Sequence, residues 1–273
     1  MLSFNRLGNL GRLANQMFQY ASLKGIAKNR GFDFVIPPQD NFGKTDPLVK
    51  KESLNIHNTF SLDVETGMYP NQMCPERMHT FDQELFDKCP DDVDLLGYYQ
   101  SPKYFNHIED EIRKEFSFPK DIDVNTDGIM QHFVVGGEAI SLHIRRTDYI
   151  SNPNHPAQPL EYYQKALRQL PDVPVIIFSD DPKWCHEQQM FEDDERFVVS
   201  DNDTDFDLCL MTKCKYHIIA NSSYSWWGAW LSTNKDKIVI APAQWFGKTG
   251  YTKDHNTKDL IPNDWTIIND GQE

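Results

Sequence analysis

The sequence predicts an α/β protein with parallel, doubly wound sheets. Strand-like and helix-like segments alternate about four times through the second half of the chain, the pattern of repeated βαβ units. The run "VPVIIFSD" is apolar at nearly every position, as a parallel strand covered on both faces is. Polar clusters follow such runs directly, at "HIRRTDY", "FSDDP" and "ANSSYS". Parallel sheets bind their ligands there, outside the carboxyl ends of the strands.

The elements follow in order. "ANQMFQYASLKGIAKNRG" has helical spacing: Met17, Tyr20, Ala21, Lys24 and Ala27 or Lys28 recur at three and four residues, and Gly31 stands where a helix stops. "FDFVI" follows as a strand, ended by Pro37 and Pro38. The stretch from Gln39 to Asp94 mixes charge, proline and aromatics, which predicts irregular chain with short helices. "VDLLGYY" reads as a strand and "PKYFNHIEDEIRKEF" as an amphipathic helix. Residues 117–135 are polar and carry Asp and Pro, so a domain boundary is expected there, giving domains 1–130 and 131–273. Beyond it, "EAISLHI", "VPVIIFSD", "RFVVSD", "YHIIAN" and "KIVIAP" read as strands. "LEYYQKALRQL", "PKWCHEQQ", "DFDLCLMTKC" and "SSYSWWGAWLST" read as the helices between them. Trp226, Trp227 and Trp230 are expected in the core.

A length of 273 residues suits one large domain or two ordinary ones, and 39% hydrophobic residues suffice for a core. The net charge of −14 argues against a nucleic-acid partner, which needs a basic face, and against a strong hold on anionic lipid. The five cysteines are odd in number and none pair as Cys-x-x-Cys, so no disulfide framework or zinc ribbon is expected. No apolar run approaches the roughly 20 residues of a membrane span. The first residues lack a signal-peptide core. A cytoplasmic protein without a transmembrane segment is expected, any membrane association being peripheral.

Against this acidic background Arg145 and Arg146 stand out. Neighbouring guanidiniums repel, so either Asp148 and nearby acids pair with them or they hold an anion. Their planar forks match phosphate oxygens, and two suit a diphosphate. Ser222 and Ser223 open a helix after a later strand, where hydroxyls and free N–H groups cap the helix and also suit phosphate. Together the two clusters favour the diphosphate. Gly-x-x-x-x-Gly-Lys-Ser/Thr and Gly-x-Gly-x-x-Gly are both absent, which leaves a nucleotide-diphospho-sugar as the candidate ligand. The arginines are expected to serve in place of a metal, with no cofactor.

Three blocks resemble the bacterial α-1,2-fucosyltransferases, glycosyltransferase family eleven: "GRLANQMFQYA", "HIRRTDY" and "ANSSYSWWGAWL". They lie in the family's order and span residues 11–231. Two family glycines are replaced, by Ala14 and by Thr147, and both changes are expected in tight loops. The resemblance implies a GT-B-like fold of two Rossmann-like domains facing a cleft, the first on the acceptor side and the second binding GDP-fucose. It implies inversion at the anomeric carbon, no required metal, and a terminal β-galactoside of an oligosaccharide that receives fucose on O2.

In that frame Arg145 holds the β-phosphate and Arg146 orients the loop. Ser222 and Ser223 take phosphates, and Asn221 shapes their loop. His143 either contacts the nucleotide or packs in its strand. Asp207 reads guanine's N–H edge, at the separation from Ser223 that the related α-1,6-fucosyltransferases show, with Asp205 as rival. Asp180 and Asp181 either face the ligand or cap a helix. Asn15 touches fucose or acceptor, or caps its helix, and Gln16 accompanies it. No Glu follows Asp148 at the distance where the α-1,6-fucosyltransferases carry a base. His155 either takes that role or lies exposed, the expected outcome being a late proton transfer to Asp148, phosphate or water. The alternatives are fucosyl transfer to another position or to protein, and a binding module without turnover.

Overall fold

The computed structural model describes residues 1–44, 55–69, 72–134 and 138–269. Residues 45–54 and 70–71 of the stretch expected to be irregular lie outside them. The chain forms two compact units: residues 1–119 with 255–262, and residues 120–254 with 263–273. The division falls at Pro119–Lys120, not at 130–131, because the polar stretch expected to be a linker is a helix, α5 (Lys120–Phe133). Asp, Asn and Gly disguise it. Its Thr126 is fully buried, Ile129 and Met130 join the core of the second unit, and Asp123 and Asp127 face Lys213.

The first unit opens with β1 (Leu2–Ser3), α1 (Leu13–Arg30) and β2 (Phe34–Val35). α1 ends as its sequence predicts. Gly31 takes φ 70°, and the N–H of Phe32 reaches back to the Ala27 carbonyl. Lys28 and Arg30 sit in the last turn, where the helix dipole favours cations. The helix is buried nearly all round, and Gly25 lets its backbone meet that of Tyr104; a methyl there would run into the Tyr104 carbonyl oxygen. α2 (Ile56–Thr59), β3 (Gln72–Pro75), α3 (Gln83–Lys88), β4 (Val93–Leu96) and α4 (Glu109–Glu115) follow. The strands pair in parallel in the order β2-β1-β4-β3.

The second unit carries β5 (Ile140–Ile144), α6 (Leu160–Leu167), β6 (Val175–Ser179), α7 (Pro182–His186), α8 (Gln189–Glu192) and β7 (Phe197–Val199). After them come α9 (Thr204–Lys213), β8 (Tyr216–Ile218), α10 (Ser223–Leu231), β9 (Ile238–Pro242) and β10 (Thr266–Ile268). All pair in parallel in the order β10-β9-β8-β5-β6-β7. β6 shows why its sequence is continuously apolar: Val175 and Ile177 pack with Tyr162 and Tyr163 of α6, while Ile176 and Phe178 pack with Leu210 and Met211 of α9. Trp226, Trp227 and Trp230 are buried against one another as expected, with ring centroids 5.0–6.1 Å apart. Among the described residues no helix is long and apolar enough to cross a membrane.

Candidate active site

In the second sheet β5 and β8 are neighbours, yet the chain runs outward from them in opposite directions, through β6 and β7 and through β9 and β10. Such a reversal opens a crevice at the carboxyl ends of the two central strands. "HIRRTDY" ends β5, "FSDDP" ends β6 and "ANSSYS" ends β8, so the three clusters converge on adjacent strands. His143 Nδ1 lies 2.9 Å from Ser225 Oγ, and the Tyr149 hydroxyl donates to the Asn221 carbonyl at 3.4 Å. The first and third clusters are thereby joined. His143 takes the packed alternative. It is 4% exposed, and burial, helped by the nearby Arg145 charge, pushes its pKa down to about 3, so the imidazole is neutral.

Both arginines are paired with carboxylates. Arg145 meets Asp148 and lies 2.8 Å from Asp180, with its guanidinium 5.3 Å from the centre of the Tyr149 ring. Arg146 Nε donates to Asp181 at 3.3 Å and lies 3.8 Å over the Trp184 ring. Asp180 is the anchor of the loop. It accepts the Arg146 N–H at 2.8 Å, the Thr147 N–H at 3.1 Å and the Thr147 hydroxyl. Burial raises its pKa, but the Thr147 hydroxyl, Arg145 and the Arg146 N–H outweigh it and hold the carboxyl below its ordinary value. Asp181 caps α7 through the Trp184 N–H at 3.2 Å. The sequence left these two acids between ligand and cap; the loop-holding role of Asp180 was missed, because it depends on β5 and β6 being adjacent.

Ser222 is the N-cap of α10, its Oγ facing the Tyr224 N–H at 3.4 Å, and Ser223 opens the first turn. The helix start presents its N–H end beside the arginine loop, which suits an anion. Asn221 is buried and donates to the carbonyls of Pro156 and Trp245 at 3.0 and 2.9 Å. Asp207 lies in the first turn of α9, held by the Ser200 hydroxyl at 2.6 Å just beyond β7. Burial pushes its carboxyl up to about 6, against the Ser200 and Asn202 hydrogen bonds. The Tyr224 hydroxyl ties α10 to the same turn through the Thr204 carbonyl at 2.6 Å.

In the first unit Asn15 is not a cap; Arg12 holds that position, and Asn15 is the third residue of α1, accepting from Gln100 at 2.8 Å. Gln16 is corrected from ligand-binding to structural. It is fully buried, donating to the Gly11 carbonyl at 3.2 Å and accepting the Ile56 N–H at 3.1 Å. Gly11 is needed as glycine: φ is 87°, and a methyl would run into the Asn15 side chain. The two replaced family glycines bring no strain. Ala14 is inside α1, and neither it nor Thr147 has positive φ.

His155 is not exposed. Its half-buried ring stacks on Tyr149 and meets Phe246 at a tilt, with centroids 5.4 Å from each. Asp148 is the more open partner of Arg145, with its side chain 42% exposed. Asp-x-Asp triplets occur at 92–94, 121–123 and through 201–207. Among the described residues no three His, Cys, Asp or Glu side chains are grouped to hold a metal ion.

The glycosyl transferase family 11 model matches residues 4–269. An alpha-1,2-colitosyltransferase of Escherichia coli is 31% identical, covering 94% of this chain and 96% of the relative. A galactoside alpha-(1,2)-fucosyltransferase 2 of Bos taurus is 26% identical over 82% of this chain and 67% of the relative. Among solved structures, the alpha-1,6-fucosyltransferase NodZ of Bradyrhizobium, soaked with GDP-fucose, shares the fold with a TM-score of 0.53 at 13% identity, covering 84% of this chain and 91% of that one. The GT-B-like class with two parallel sheets is thus the one the sequence implied. A match over nearly the whole chain, running through all three motif blocks, places this glycosyltransferase in glycosyl transferase family 11.

Proposed function

We propose that the protein transfers fucose from GDP-fucose to O2 of a terminal β-galactoside, inverting the anomeric carbon to form an α-1,2 linkage. The observation that carries this reading is the joining of the arginine loop after β5 to the start of α10 at the β5–β8 switch point, through His143 with Ser225 and Tyr149 with Asn221. Departure of GDP places charge on the β-phosphate while the sugar becomes oxocarbenium-like, and fixed cations and N–H groups there lower the barrier. Arg145 takes the β-phosphate in exchange for Asp148, the more exposed of its two carboxylate partners. Ser222 and Ser223 take further phosphate oxygens, Arg146 keeps the loop in place, and Asp207 accepts from guanine. Asn15 orients a sugar hydroxyl. The linkage and acceptor draw support from the relatives' names, which specify alpha-1,2 transfer and a galactoside. Five free cysteines, four of them buried, accord with a cytoplasmic setting.

A second reading rests on the colitosyltransferase relative: the donor sugar is colitose, which is fucose without its 3-hydroxyl. The test is purified protein with GDP-fucose or GDP-colitose and a panel of galactosides, the product linkage being assigned by NMR. Fucose on O2 of galactose is expected. Transfer from GDP-colitose alone, or a product linked at another position, overturns the reading. Neither product nor GDP release marks a binding module.

A further inference from the structure

The loop after β5 is braced by the segment 244–252, and both belong to the second unit. The chain turns at Arg146, whose carbonyl takes the N–H groups of Tyr149 and Ile150 at 2.7 and 2.9 Å. Tyr149 then meets three partners. The Arg145 guanidinium lies over its ring, 5.3 Å from the centre. Its hydroxyl donates to the Asn221 carbonyl at 3.4 Å. Its ring stacks on His155 with the planes 25° apart, and His155 in turn meets Phe246. The chain on either side of these two rings is stapled together. The Asn154 carbonyl takes the Gly247 N–H at 2.9 Å and the Thr252 hydroxyl at 3.0 Å, and its Oδ1 takes the Tyr251 N–H at 2.9 Å. Asn221 bridges the carbonyls of Pro156 and Trp245, and Gln158 donates to that of Gln244 at 3.0 Å. At Gly247 a methyl would run into the Pro153 carbonyl oxygen, so the two backbones are in contact.

We propose that Tyr149 is the positioning residue of Arg145: its ring, backed by His155 and the segment 244–252, keeps the guanidinium in place when phosphate displaces Asp148. The inference rests on the reading above, in which Arg145 holds the β-phosphate. An aromatic ring attracts a guanidinium within about 6 Å of its centre. It does so without a strong acceptor. A carboxylate claims N–H donors that a phosphate needs, whereas a ring competes for them far less.

Arg145 is thus fixed by partners of two kinds. Asp148 is the exposed carboxylate that phosphate replaces. Asp180 stays, because the Arg146 and Thr147 N–H groups hold it too. One remaining carboxylate would let the guanidinium swing about that contact. The Tyr149 ring removes this freedom, and the stack on His155 limits the motion of the ring itself. The hydroxyl contact to Asn221 is long at 3.4 Å, so the ring carries the role and the hydroxyl adds little.

The experiment measures the affinity of the full chain for GDP and for GMP by calorimetry, with initial rates on GDP-fucose and lactose. GMP lacks the β-phosphate, so a residue that acts through Arg145 moves GDP and spares GMP. Tyr149→Leu is expected to weaken GDP and lower kcat by about 3–30-fold, the worth of a partly desolvated contact between cation and ring. Its GMP affinity should stay within twofold. Tyr149→Phe keeps the ring and should bring GDP affinity to within threefold of wild type. In an Arg145→Ala background Tyr149→Leu should cost less than twofold more, since the two act as one unit. GDP and GMP weakened alike by Tyr149→Leu overturn the assignment, as does a full loss that persists beside Arg145→Ala. Should Tyr149→Leu not fold, a GDP-specific loss beyond threefold in Tyr149→Phe overturns it equally. If Arg145→Ala binds GDP as the wild type does, Arg145 does not hold the β-phosphate, and the donor-site reading falls together with this inference. If Arg145→Ala weakens GDP alone and Tyr149→Leu does not, only the Tyr149 assignment falls.

Discussion

Arg145 Nη1 lies 2.8 Å from Asp180 Oδ2, and the same carboxylate holds the backbone N–H groups of Arg146 and Thr147. One residue at the end of β6 thus sets both the position of the loop after β5 and the plane of its guanidinium. A fork fixed in advance needs no ordering when phosphate arrives. The fold therefore holds the guanidinium in place in advance of the diphosphate proposed to bind there.

Arg145→Lys keeps the charge and loses the planar fork, along with the geometry shared by Asp148 and Asp180. Turnover is expected to fall by at least tenfold, with the melting temperature little changed. Turnover within a few-fold of wild type would remove Arg145 from the phosphate.

Asp207→Asn should weaken GDP binding by about 1.5–3 kcal/mol, the loss of a charge-assisted hydrogen bond. The pH dependence has a definite sign. The folded carboxyl sits at about 6, above its ordinary value, so it favours the fold when protonated, and that contribution is lost as pH rises toward 6. Guanine's N–H groups need the ionised form. GDP affinity should therefore fall as pH drops below about 6, and the Asn variant should be flat there. Calorimetry across pH 5–8 measures both; a wild-type affinity independent of pH moves the guanine contact to Asp205 or elsewhere.

His155→Ala is expected to keep at least about a tenth of wild-type turnover, because loss of a general base costs about 10²–10⁴-fold and its ring serves to pack Tyr149 and Phe246. Asn15→Ala should hurt more, since it removes the partner of Gln100. A thousandfold fall for His155→Ala with donor affinity intact would make His155 the base.

Activity is expected to survive excess EDTA, with arginines and a helix start facing the phosphates. Loss of activity that Mn²⁺ or Mg²⁺ restores would shift that duty to the acids of 201–207.

Gly25→Ala tests packing rather than chemistry. Within a helix the change normally stabilises by about 0.5–1 kcal/mol. Here the methyl meets the Tyr104 carbonyl, and overpacking of this kind costs about 1–3 kcal/mol. The melting temperature should fall; a rise would show that α1 and residues 102–104 can move apart.

Legibility in the sequence followed burial. β5, β6 and β9 were plain because both faces of a covered parallel strand are apolar. β1 is two residues long and β3 reads "QMCP", too little pattern to see. α5 hid behind residues that favour turns, and its amphipathic face appears only against α9. The arginine and serine clusters could be placed at strand ends because each directly follows its strand. Gln16 was misread because burial, not identity, decides whether an amide meets a ligand.

The segment 255–262 belongs to the first unit, where Asp259 takes Lys103 at 2.6 Å and the Phe81 N–H at 3.1 Å, and its carbonyl takes Ser101. On the ribosome this unit is then still incomplete when residue 119 emerges, and stays so until residue 262 has cleared the exit tunnel. Most of the second unit is made during that wait, so vectorial synthesis does not give the order of completion its numbering suggests. Chimaeras meant to exchange the first unit between relatives need three crossovers, at 119, 254 and 262, instead of one.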